Sequence, residues 1–169
     1  QTCTLAEALA ASVLPAPGDL APGPAPQAVA DALRPLLPRS YSVASLPQDG
    51  HVRLLVRQAR HDGGLGVASG WLTAHAARGT SVAMRLVENR AFEPREEGDA
   101  EPDAPAIFIG NGSGYAGLRG HLLARMHAGR HRNWLLFGER QRAHDGYCEA
   151  EVSGWLAAGK LQRADFIYS

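Results

Sequence analysis

The spacing of apolar positions changes several times along this chain, and each change predicts a different element. From Thr4 the spacing is helical. Thr4-Leu5-Ala6-Glu7 has the form of a capping box, and an alanine-rich helix is predicted to run to about Leu14. Residues 15–26 (LPAPGDLAPGPA) are dominated by proline, glycine and alanine, which predicts a linker or a rigid extended loop. A second short helix fits 27–37, and Pro38 punctuates the chain after it. Strand-like patterning follows. Residues 41–45, a turn at Pro47-Gln48-Asp49-Gly50 and a return strand over 51–59 read as a hairpin. Gly63-Gly64-Leu65-Gly66 opens a helix through Trp71, Leu72 and His75, and 81–88 alternates as a further strand. Residues 89–105 are polar and proline-bearing, the texture of a domain boundary.

Beyond that boundary the pattern changes character. Ala106-Ile107-Phe108-Ile109 is a short apolar run of the type found in buried parallel strands. A glycine-rich turn and an amphipathic helix over 115–127 follow. A second apolar run covers 133–137, a helix is predicted over 145–158, and a third strand over 161–168. Strands alternating with helices imply a parallel sheet. The expected fold class is therefore α/β plus antiparallel β. No internal repeat is visible.

Composition narrows the function classes. The 169 residues hold 17 basic and 17 acidic side chains, a balance that gives no reason to expect nucleic acid or an anionic membrane as partner. The acidic cluster between Glu93 and Glu101 reads as a solvated loop. Cys3 and Cys148 show neither C-x-x-C pairing nor zinc spacing, so no metal site is expected and a reducing compartment is the default. Cys148, beside an aromatic in an amphipathic stretch, is expected to be a buried structural thiol. No apolar run approaches bilayer-spanning length, and no signal peptide is read. The chain begins with glutamine, as a processed product or a piece of a longer chain would.

Three stretches have the residue types for dinucleotide chemistry. In Arg39-Ser40-Tyr41-Ser42 a planar guanidinium suits phosphate oxygens, the tyrosine offers a large face for stacking, and a hydroxyl can donate or accept. The bland alternative is an ordinary strand start, and strand alternation places Tyr41 and Ser42 on opposite faces. In Gly66-Val67-Ala68-Ser69 the glycine lets backbone amides approach an anion at a helix start, and Ser69 can cap or donate; a capped helix after a flexible turn is the alternative. In I-F-I-G-N-G-S-G-Y-A-G-L-R-G, residues 107–120, a buried strand enters a glycine-rich turn and then a helix. That is dinucleotide-binding logic, although G-x-G-x-G is not the standard spacing and a plain strand–turn–helix would look similar.

Taken in order, these stretches resemble the ferredoxin–NADP reductase superfamily, and more closely its diflavin branch. Arg39-Ser40-Tyr41-Ser42 matches that family's R-x-Y-S flavin motif, and Gly66 to Ser69 its G-x-x-S pyrophosphate motif. Asn89-Arg90-Ala91-Phe92-Glu93-Pro94 is similar to N-x-x-F-x-x-P with one position lost. The stretch from Ile109 to Arg119 resembles I-G-P-G-T-G-x-A-P-F-R, and Asn133-Trp134-Leu135-Leu136-Phe137-Gly138 resembles N-W-L-F-F-G. Trp155 through Gly159, and Leu161 up to Ser169, resemble the segment that ends in S-R-D. The resemblance runs from about Arg34 to the end.

The resemblance implies a connecting region over 1–38, part of an FAD-binding β-barrel over 39–104, and a Rossmann-like NADP-binding subdomain over 105–169. It implies that Arg39 lies at the FAD pyrophosphate, that Ser40 is a further cofactor contact, that Tyr41 stacks on the flavin, and that Ser42 sits near the reactive nitrogen as the catalytic contact. It implies backbone contact to FAD from Arg53, Leu54 and Leu55. Gly66, Val67, Ala68 and Ser69 would hold the FAD pyrophosphate, Gly112, Ser113 and Gly114 would face NADPH, and Ser169 would meet the 2′-phosphate. The implied activity is hydride transfer from NADPH to FAD, with electrons passing to a flavodoxin-like FMN domain or another acceptor. The implied location is cytoplasmic, alone or as the soluble part of a longer membrane-associated protein. Departures include Gly117 for proline, Ser113 for threonine, Glu93 for a basic residue and Ala59 for an aromatic. The family's early barrel strands, later cysteine and acidic residue, and terminal aromatic have no counterpart here. A partial module is therefore expected, with a degenerate, non-catalytic nucleotide-binding or structural piece and a generic α/β ligand-binding domain as the competing readings. His75, His121, His127 and His144 are expected on helices, facing solvent.

Overall fold

The computed structural model describes residues 12–14, 18–19, 22–89 and 104–169. It has two compact units, 1–40 and 41–169.

In the first unit, β1 (Ser12–Val13) pairs antiparallel with β2 (Arg34–Pro35). Between them lies α1 (Pro26–Ala32). Two expectations are corrected here. The helix predicted from Thr4 lies mostly outside the described residues, and its last residues, Ser12 and Val13, are strand. The helix predicted over 27–37 stops at Ala32, with Leu33 already extended. The cause is Pro35, whose ring disfavours helical backbone at Arg34 and leaves no N–H for the helix ladder.

The second unit begins with the expected hairpin, in abbreviated form. A single bridge joins Val43 to Leu54, and the Ala44 N–H donates to the Arg53 carbonyl at 2.8 Å. The next rung is made by a side chain. Ser45 Oγ donates to the His51 carbonyl at 2.8 Å and accepts from the Arg53 N–H at 2.9 Å. A 3₁₀ turn over Pro47–Asp49 closes the end, with the Asp49 carboxylate accepting from the Leu46 N–H. Downstream, β3 (Arg60–His61) and β4 (Gly64–Leu65) form a tight antiparallel pair, where the sequence had suggested that the glycines open a helix. The helix starts afterwards, as α2 (Val67–Gly70), and widens into a π-type turn over Trp71–His75. The strand expected over 81–88 does not form. Those residues are exposed throughout and lie in no ladder among the described residues. Alternation of side chains alone makes no strand without a partner to pair with. The boundary segment 89–105 and the motif at Asn89–Pro94 fall almost wholly outside the described residues.

The rest is a βαβαβ unit. β5 (Ala106–Asn111), β6 (Asn133–Glu139) and β7 (Arg163–Tyr168) are parallel and adjacent in that order. α3 (Tyr115–His127) crosses from β5 to β6. Tyr115, Arg119, Leu122 and Met126 recur at helical spacing and are its buried stripe. Its end is set by Gly129, whose left-handed φ of 73° lets the Arg130 N–H reach back to the Arg125 carbonyl at 2.8 Å. The second crossover was expected as one helix over 145–158. It is two: α4 (Arg142–Asp145) and α5 (Glu149–Ala157). They part at Gly146, where an added Cβ would lie 2.8 Å from the Arg142 carbonyl.

Alternation sorts the sheet cleanly. Leu135 and Phe137 of β6 point into a core built with Tyr115, Leu122, Met126, Cys148, Val152 and Leu161. The thiol of Cys148 is buried as expected, and burial pushes its pKa up to about 11. The opposite face carries Ile107, Ile109 and Ile167, all more than half exposed. Among the described residues, no helix is long and apolar enough to cross a membrane. Three of the four helix histidines are solvent-exposed, while His121 is half-buried on α3.

Candidate functional site

The three parallel strands end together. Asn111 is in register with Gly138, and Glu139 with Tyr168, so the residues following β5, β6 and β7 share one edge of the sheet. The carboxyl edge of such a sheet is where open α/β folds bind ligands. At this edge β5 runs into Gly112–Gly114, a 3₁₀ turn that leads directly into α3. Gly112 has φ 54°, a left-handed conformation that a side chain would strain, and Ser113 and Gly114 are exposed. The Ser169 N–H donates to the Glu139 carbonyl at 3.2 Å, which brings the chain's last residue to the same edge. Gly117, in the first turn of α3, has open space around its missing Cβ.

The antiparallel part is fixed to this unit by one buried guanidinium. Arg119, on α3, donates through Nη1 to the Ala44 carbonyl. Through Nε and Nη2 it grips the Glu151 carboxylate, at 2.9 and 2.6 Å. Tyr115 Oη donates to the same carboxylate at 3.1 Å, and Arg53 stands 3.9 Å away. Burial alone would raise the Glu151 pKa, but the hydrogen bond and charge of Arg119 outweigh it and hold the carboxyl below its ordinary value. A carboxylate depressed by folding stabilises the fold above its unfolded pKa, and that contribution is lost as pH falls through the folded value. Acid should therefore weaken the wild-type chain progressively below its ordinary pKa of 4.5. Glu151→Gln should be less stable at pH 7 and show a flatter dependence in urea titrations between pH 7 and 3; parallel pH profiles would refute this.

Arg39 and Ser40 are exposed in the first unit. Tyr41 is half-buried and Ser42 exposed, just before the hairpin bridge at Val43. Arg53 spends both backbone groups on that hairpin, Leu54 is the bridge partner, and Leu55 packs against the core. Gly66 and Ser69 close a compact turn. The Gly66 N–H donates to the Ala59 carbonyl at 2.9 Å, and Ser69 Oγ accepts from the Ala59 N–H at 3.0 Å. A Cβ on Gly66 would stand 2.9 Å from that hydroxyl, so the turn closes only with glycine there. The backbone N–H groups of Val67, Ala68 and Ser69 open α2, where a helix has no carbonyl of its own to offer them.

Sequence reasoning missed three polar residues beside the Gly112 turn. Arg57 Nη2 donates to both oxygens of Glu139, at 3.1 and 3.3 Å. Tyr147 Oη donates to the Gly112 carbonyl at 2.8 Å and lies 3.4 Å from Glu139. Burial, then the Glu139 charge, keeps the Tyr147 hydroxyl protonated well above its ordinary range, so it remains a donor. The one signal in the sequence was Glu139 itself, a charge directly after the apolar run of β6. A separate open groove of about 290 Å³ lies between α5 and β7, where Tyr168 and Arg142 both bond Glu149.

No protein-family model matches the chain. Its sequence is 34% identical over 151 residues to the sulfite reductase [NADPH] flavoprotein alpha-component of Mannheimia succiniciproducens, covering 85% of this chain and 24% of that protein. The chain is homologous to part of the sulfite reductase flavoprotein. That relationship places it with the diflavin branch of the ferredoxin–NADP reductase superfamily. The proteins of the same name from Vibrio cholerae and Salmonella typhimurium are each 32% identical, over 81% and 85% of this chain. The chain spans about a quarter of the length of these flavoprotein relatives.

Proposed function

We propose that this chain is the FAD- and NADPH-binding part of an NADPH-dependent flavoprotein reductase. One observation carries the reading. The hairpin that follows Tyr41 and Ser42 is bonded, through Arg119, to the helix that begins at the Gly112–Gly114 turn. A flavin-stacking residue and a dinucleotide turn on one supported frame are what transfer between two rings requires.

The residues fit both groups. The Gly66 turn is tight enough to present the first N–H groups of α2 to a phosphate, and Gly114 has no heavy atom within 4 Å of its missing Cβ. In this reading 39–104 is part of an FAD-binding barrel and 105–169 a truncated NADP-binding subdomain, with 1–38 as the connecting region. Arg39 pairs with the FAD pyrophosphate, Ser40 is a further cofactor contact, Tyr41 stacks on the ring, and Ser42 hydrogen-bonds near its reactive nitrogen. The backbone at Arg53, Leu54 and Leu55 lines the flavin, and Gly66, Val67, Ala68 and Ser69 hold its pyrophosphate. Gly112, Ser113 and Gly114 cradle NADPH, and Ser169 meets its 2′-phosphate. Bound together, the two cofactors would supply hydride transfer from nicotinamide to flavin. The partner is a flavodoxin-like FMN domain or another redox acceptor, and the setting cytoplasmic.

The test is a titration of the purified chain with FAD. Flavin fluorescence should be quenched on binding, NADPH should bleach the bound flavin, and Tyr41→Ala should weaken FAD about tenfold or more, the scale of one lost stacking contact. A chain that leaves excess FAD fully fluorescent would sink the proposal. FAD binding without bleaching by NADPH would favour the non-catalytic nucleotide-binding reading.

A further inference from the structure

Arg57 flanks the Gly112 turn, and its geometry has a consequence for the ligand proposed there. A Cβ placed on Gly112 would lie 3.5, 3.8 and 3.9 Å from Arg57 Nη2, Cζ and Nη1. The near-equal distances mean that the guanidinium lies broadside over the space that glycine leaves empty. Glycine at 112 thus serves two needs. It permits the left-handed backbone, and it lets a cation approach the turn.

Arg57 is held there from below. Glu139, its partner, has a side chain only 4% exposed, whereas that of Arg57 is 55% exposed. Both contacts to Glu139 use Nη2, so Nη1 and Nε keep donor capacity for a second anion. Tyr147 ties the Gly112 carbonyl back toward the same carboxylate. With that carbonyl occupied, the exposed Ser113 and Gly114 and the half-exposed guanidinium remain open to a ligand. A buried carboxylate that fixes an arginine beside a glycine-rich turn is an arrangement for a group with several negative oxygens.

On the functional reading above, we infer that Arg57 is the counter-ion of the nicotinamide dinucleotide's diphosphate, and that Glu139 and Tyr147 are positioning residues that hold it and the turn in place. Nearby, Ala59 closes the Gly66 turn, so the short stretch from Arg57 to Ala59 touches both glycine turns.

The test is calorimetric titration of the whole chain with two probes: NADPH, and 2′-AMP, which lacks a diphosphate. Arg57→Gln should weaken NADPH about tenfold, the scale of one charge-assisted contact, and leave 2′-AMP within about twofold. Arg57→Lys, which keeps the charge and loses the fork, should fall between. Arg57→Gln leaves Glu139 buried and unpaired; should that variant fail to fold, Arg57→Gln/Glu139→Gln removes the stranded charge and gives the same reading. The double variant should stay weak for NADPH. Recovery to wild-type affinity would show that Arg57 only neutralises Glu139, and would overturn the inference. Unchanged NADPH affinity in Arg57→Gln, or an equal loss for both probes, would also overturn it while leaving the functional reading intact. A wild-type chain that binds neither probe would defeat that functional reading, and this inference with it.

Discussion

Arg119→Ala should lower the unfolding free energy by about 3–5 kcal/mol, the usual consequence of removing one partner from a buried ion pair. Arg119 is 8% exposed, and all three of its nitrogen donors are used. Two go to Glu151 and one to the Ala44 carbonyl. Its loss leaves the carboxylate with Tyr115 at 3.1 Å and a half-exposed Arg53 at 3.9 Å, which are poor substitutes for a bidentate fork. The Ala44 carbonyl loses a donor that lies 75 residues away in sequence. Urea denaturation should show the loss, and amide exchange at Ala44 should accelerate more than exchange in β6, because the hairpin is released first. Arg119→Lys should recover only part of the loss, since an ammonium cannot bridge both acceptors in one plane. A loss below about 1 kcal/mol would mean that the network behaves like an exposed surface pair.

Phe137→Ala should cost about 3–5 kcal/mol, the range for truncating a large core aromatic. Phe137 is 1% exposed in the middle strand of the sheet. Its ring meets Tyr115, Phe166 and Tyr147 edge-on, with centroids 5.4, 6.4 and 6.5 Å away. Such pairs add about 0.5–1.5 kcal/mol beyond burial, so the loss should fall toward the upper end. Tyr147 is also the donor to Gly112, which gives the substitution a second effect: the glycine turn loses the support behind its clasp. Phe137→Leu keeps most of the volume and should cost less than half as much. Chemical denaturation of both variants decides the matter, and equal losses for leucine and alanine would show that packing volume is not what the site demands.

Much of the parallel half was legible in the sequence. The apolar runs at 106–109 and 133–137, the stripe of α3 and the intervening glycines are local patterns, and here the packing agrees with them. The helix expected over about 115–127, as an amphipathic stretch after a glycine-rich turn, is observed over Tyr115–His127. Where local signals conflicted, the structure departed from the expectation. Pro35 ended α1 early, Gly146 divided a predicted helix, and residues 81–88 alternate without forming a ladder.

What the sequence by itself determined, then, is a strand–glycine turn–helix unit, the parallel character of its sheet, and a kinship with the diflavin reductases carried by short motifs in a set order. Only the tertiary structure decided which charges meet. Arg57 and Glu139 are 82 residues apart, and Arg119 and Ala44 are 75 apart. Nothing in the neighbourhood of Arg57 distinguishes it from a solvated surface cation, and Arg119, although it closes the motif-like stretch from Ile109, shows nothing of its partners in the sequence. Their roles follow from chain packing, which brings the segment carrying Arg57 against the carboxyl edge of the sheet and removes one carboxylate, Glu139, from water, so that its charge must be met by whatever cation the fold delivers.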